Sequence, residues 1–143
     1  MWLDRILSSK TTNALALSVQ FTERRQQVLA ENIANIDTTD YHTKRLDVSD
    51  FQSALKSALD AQTPRTSVLE LRGRTVETTA AGHLLVEPET EPAPNILFHD
   101  GTNARLEELM TDAASNSLYH EFAVNLLQTR LDGLFTAIRG RIQ

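Results

Sequence analysis

The sequence predicts a mainly α-helical protein in which long N- and C-terminal amphipathic helices pair as a coiled-coil-like hairpin around an irregular or weakly β middle segment. Three observations carry that expectation. The run from Ala14 to Ile36 holds no Gly or Pro and repeats its apolar residues at helical spacing. Val124, Leu127, Leu131, Leu134 and Ile138 recur at intervals of 3, 4, 3 and 4, the spacing of a coiled-coil seam. Aromatic residues make up 6% and there are 5 glycines, too few for a sandwich or a barrel.

The first helix is expected over residues 11–36, opened by the capping cluster Thr11-Thr12-Asn13. On a wheel with Ala14 at 0°, Leu17, Phe21 and Val28 fall between about −60° and −20°, and Leu29 and Ile36 near 60° and 40°. Asn32 lands at about 0° and Asn35 at about −60°, so both amides share the apolar stripe. Asn35 fits a helix C-cap, because Asp37-Thr38-Thr39-Asp40 follows at once. Asn32 sits one turn earlier, where an amide needs a backbone partner. A polar residue there can fix register, so Asn32→Leu is expected to leave an isolated helix pair as stable or more so.

Residues 37–60 hold a turn and then a short helix in which Phe51, Leu55 and Leu59 stack at i, i+4 and i+8. Residues 61–102 show no sustained period. Within them a weak strand pair, VLEL with RTVETT, turns around Gly73, and the Pro/Glu-rich residues 87–95 read as an extended linker. The last helix is expected over 103–140, with Gly140 as its stop. Its stripe runs through Leu106, Leu109, Ala113, Val124, Leu127, Leu131, Leu134 and Ile138, with a side line of Tyr119, Phe122 and Leu126. Pairing the two helices would leave that side line uncovered, together with Trp2, Leu3, Ile6 and Leu7; uncovered apolar patches mark interaction surfaces.

The 143 residues fit one domain, and the absence of cysteine excludes a disulfide framework and thiolate metal sites. The N-terminus MWLDRILSSK carries Asp4 and lacks a long apolar run, so it reads as no cleavable signal. No stretch is apolar enough to span a membrane. Residues 1–86 carry 10 basic and 10 acidic residues, residues 87–143 carry 4 and 9, and no basic patch suits nucleic acid. The 4 histidines, His42, His83, His99 and His120, are scattered. His120 falls on the helical stripe, where a packing role is expected rather than a ligand's. No phosphate loop, nucleophile elbow or catalytic carboxylate pair appears. The expectation is therefore no enzyme, no cofactor and no metal.

Taken together, these residues resemble the bacterial flagellar basal-body rod proteins, and among them the proximal-rod type. That family's signature is matched by Arg25-Gln26, Leu29-Ala30, Asn32-Ile33-Ala34-Asn35, Asp37-Thr38, Tyr41 and Asp50-Phe51. A middle Thr…His-Leu element is matched by Thr79 and His83-Leu84. Asp100-Gly101, Asn103, Leu106-Glu107, Met110, Asn116, Tyr119 and Ala137-Ile138-Arg139-Gly140 match the end. Two departures stand out: Thr39-Asp40 replaces the family's Pro-Gly, and Thr102 is inserted after Asp100-Gly101.

The resemblance implies a structural subunit exported through the flagellar type III apparatus and self-assembling into the rod that crosses the periplasm. It implies as partners other copies, FlgC-type and other rod subunits, the adaptor FliE, the export gate and the membrane ring. An assembly interface is expected at Leu17, Phe21, Val28, Asn32, Ile33, Asn35, Tyr41, Phe51, Tyr119, Leu127, Leu131, Leu134 and Ile138. The FlgC type is the nearest alternative, but its Gly-rich element after the NIAN block is missing here. A stand-alone helical binding module, such as a secretion chaperone, is an alternative of a different class.

Overall fold

The computed structural model describes residues 10–61, 68–90 and 101–140. In chain order the elements are α1 Lys10–Ala34, β1 Lys44–Arg45, α2 Val48–Ala61, β2 Val76–Thr78, β3 Leu84–Val86, β4 Glu89–Thr90 and α3 Gly101–Arg139. The protein is mainly α, with long helices at its two ends, as the sequence predicts. At 25 and 39 residues, α1 and α3 are about 38 and 58 Å long.

Helix α1 has two working faces. Leu17, Phe21 and Val28 belong to the main buried cluster with Leu46, Phe51, Ala54, Ala58, Leu69, Leu71 and Val76. Phe21 stacks flat on Phe51, with ring centroids 4.2 Å apart and planes 6° from parallel. The second face, at about 60° to 120° on the same wheel, carries Leu15, Thr22, Gln26 and Leu29 and meets α3. The helices run antiparallel, through Thr22 with His120, Gln26 with Asn116 and Arg25 with Asp112.

The middle segment is more tightly built than its sequence suggests. Leu69 and Leu71 are 2% and 0% exposed and Val76 is 2%, so residues 68–90 supply core rather than a loose connection. The expected pairing around Gly73 is present in part, and the regular strand pair is a further one: β2 pairs antiparallel with β3, Val76 opposite Val86 and Thr78 opposite Leu84. Residues 69–72 lie alongside β2, through an Arg72–Glu77 bridge and the Thr78 N–H donating to the Leu71 carbonyl at 3.2 Å. The β2–β3 turn uses Gly82 at φ 81°, a left-handed conformation that glycine adopts without strain. Part of the expected linker also has a fixed place: Glu89 and Thr90 pair antiparallel with Arg45 and Lys44. Residues 91–95 lie outside the described residues.

Local chemistry explains the helix ends. The Asp47 carboxylate accepts the N–H groups of Ser49 and Asp50 at 2.8 and 3.2 Å, the geometry of an N-cap on α2. At the end of α1, Asn35 donates its backbone N–H at 3.1 Å and its side-chain amide at 2.8 Å to the Glu31 carbonyl. Gly140 closes α3 by donating its N–H to the Thr136 carbonyl at 2.9 Å.

Candidate assembly surface

The NIAN block is a clamp. Asn32 is 2% exposed, and its amide engages one residue from both sides. It donates to the Lys44 carbonyl at 2.7 Å and accepts the Lys44 N–H at 3.0 Å. Tyr41 adds its hydroxyl, donating to the same Asn32 oxygen at 3.0 Å. An amide presents a donor and an acceptor side by side, as a peptide group does. Asn32 therefore covers one edge of β1 while β4 pairs with the other. Burial, helped by the nearby Glu31 charge, raises the Tyr41 pKa. The Lys44 ammonium bonds to Glu31, which raises its own pKa.

This geometry supplies the backbone partner expected for Asn32 and corrects the expected register role. Its amide sets the path of residues 41–45 and is not free to choose a register with another helix. Leucine there would strand the Lys44 N–H and carbonyl and the Tyr41 hydroxyl.

The Asp-Phe pair of the signature is a second anchor. Phe51 is the stacking partner of Phe21, and Asp50 binds the turn before β2. Its carboxylate accepts the Arg74 N–H at 3.0 Å, and the Thr75 N–H and hydroxyl both at 2.8 Å. Burial works to raise the Asp50 pKa, but these donors outweigh it and hold the carboxyl below its ordinary value. Gly73 makes the approach possible: a Cβ there would lie 2.6 Å from Val76 Cγ2 and 2.9 Å from Asp50 Oδ2. The Arg74 guanidinium then bridges Asp47 and Glu89, each at 3.2 Å. Asp40, at the position of the glycine in the resembled pattern, holds φ 61°, a left-handed conformation that costs a non-glycine residue some strain.

Of the residues expected at an interface, Leu17, Phe21, Val28, Asn32 and Phe51 are 2–5% exposed and lie inside the fold. A side chain so enclosed touches no neighbour while the subunit stays folded, so these shape the surface rather than form it. Ile33, Asn35, Tyr41, Leu127, Leu131, Leu134 and Ile138 are half-buried. Tyr119 is 65% exposed, and with it stand Phe122 at 64%, Leu118 at 68% and Leu126 at 40%. That band groups four of the exposed large apolar side chains of α3, apart from Met110 and Phe135. A groove beside it is lined by Thr11, Leu15, Leu126, Arg130, Gly133 and Leu134.

Sequence reasoning names Asn116 only as part of the family resemblance and does not place it in the helix contact, where it is 1% exposed. Its amide donates to the Thr22 carbonyl and to Gln26 Oε1, both at 2.8 Å. The signal was available: with Leu127 at 0°, Asn116 falls at about −20°, within the stripe. His120 packs as expected, with Nδ1 2.9 Å from the Thr22 hydroxyl. Among the described residues no His, Cys, Asp and Glu group suits a metal, and no helix is long and apolar enough to cross a membrane.

No protein-family model matches the chain. The flagellar basal body rod protein FlgB of Salmonella typhimurium is 27% identical over 145 aligned positions, covering 96% of this chain and 98% of that protein. This chain groups with the FlgB rod proteins. The FlgB of Escherichia coli K12 is 28% identical over 81% of this chain and 83% of its own length. The FlgB of Bacillus subtilis is 24% identical over 94% and 97%. The likeness to FlgB thus spans both long helices and the packed middle together. It makes the chain a flagellar basal-body rod component, and its exposed α3 band is the candidate assembly surface.

Proposed function

We propose that this chain is a structural subunit of the proximal rod, which self-assembles through its terminal helices into a helical tube. The tube transmits torque and continues the export channel across the periplasm. Its neighbours are other copies, FlgC-type and other rod subunits, the adaptor FliE, the export gate and the membrane ring. The observation that carries this reading is the uncovered band of Leu118, Tyr119, Phe122 and Leu126 on a chain that resembles FlgB along its length. Large exposed aromatic and aliphatic side chains on one helix stretch favour burial against a partner.

The half-buried Leu131 and Leu134 continue the helical stripe beyond that band. Two carboxylates there, in Leu131→Asp with Leu134→Asp, would place charge in a dry contact. In cells carrying this gene the double variant should still be made but build no flagella. Normal swimming by that variant would contradict the proposal.

A further inference from the structure

The α1/α3 contact repeats at spacings of three and four, and such a contact can slide by seven residues with apolar positions still meeting apolar positions. Something must choose among those alignments. On α3 the contact includes Leu109 and Ala123, 9% and 7% exposed, with Asn116 between them at 1%. Hydrocarbon on either side of an enclosed amide makes the amide the most buried polar position that tells the alignments apart.

We infer that Asn116, together with Thr22 and Gln26, sets the register of the α1/α3 pair. In the observed alignment its amide meets the Thr22 carbonyl and Gln26 Oε1 at 2.8 Å. Slipping α3 by about seven residues would put Val19 or Ile33 in the place of Gln26, whose Oε1 is the acceptor specific to this alignment, since a backbone carbonyl like that of Thr22 recurs at every residue. The Thr22–His120 contact at 2.9 Å would part in the same slip. Asn32 does not share this role, since Lys44 and Tyr41 already hold its amide. The inference concerns contacts within one chain, so it stands or falls separately from the rod reading.

The absence of cysteine permits clean spin labelling of the full chain at the exposed positions Glu23 and Gln128. With E23C and Q128C as the labelled parent, one narrow distance is expected. Adding Asn116→Leu should keep or raise the melting temperature while a second distance appears. A slip of seven residues moves the helices by about 10 Å along their axes, so the two populations resolve. A single parent-like distance in the leucine variant overturns the assignment, because register would then be set elsewhere. Loss of folding in that variant overturns it as well, and so does a parent that shows no single distance.

Discussion

At the residue scale, the signature of this chain is a set of amide and carboxylate contacts that fix backbone. Asn32 stands for the backbone of a neighbouring strand, and no apolar residue can replace it. Asn32→Leu should lower stability by about 3 kcal/mol, because buried polar groups on Lys44 and Tyr41 lose their partner; urea denaturation measures this. The wheel places Asn32 on the buried stripe. It cannot show that the partner lies twelve residues on, because helical spacing carries no information about where the chain returns. Asp40 makes a second test at φ 61°. Asp40→Gly should raise stability by up to about 1 kcal/mol, and Asp40→Val should lower it by a similar amount, since β-branched side chains disfavour the left-handed region. Equal melting temperatures for the two variants would contradict the strain.

At the element scale, the turn before β2 is tied to α2 by the Asp50 carboxylate, beside the shared core of Phe51, Ala54, Ala58 and Val76. Asp50 has a lowered pKa in the fold, so its contribution is fully present above the ordinary carboxylate value of 3.8. It is lost as pH falls from there through the folded pKa. Asp47 shifts in the same direction, first through its Ser49 bond. Acid should therefore loosen the hairpin below about pH 4. Asp50→Asn should cost about 2 kcal/mol at pH 7 and flatten that acid dependence, read by melts across pH. Gly73→Ala should cost about 1–3 kcal/mol, since the added methyl meets Val76 and Asp50. These elements were hard to read because strands of two or three residues are shorter than the window that periodicity needs. Only Leu69 and Leu71, two apart and both buried, left a trace.

At the scale of the whole molecule, the two helix faces divide the work. The sequence shows one broad apolar stripe on α1, and the simplest reading pairs all of it with α3. In the fold, Leu17, Phe21 and Val28 turn to α2 and the hairpin, while Thr22, Gln26 and Leu29 turn to α3. The two sets lie about 130° apart, and nothing in the spacing says which partner each takes. The side line on α3 was legible, because pairing one stripe leaves the other bare. Tyr119 and Phe122 are 65% and 64% exposed, so replacing them disturbs the folded chain little and an assembly contact greatly. The deciding measurement is motility and basal-body yield in cells carrying Tyr119→Ser with Phe122→Ser, beside the circular dichroism of the purified variant. An unchanged helical spectrum with no completed rods is the expected result. Normal rods and normal swimming would contradict it.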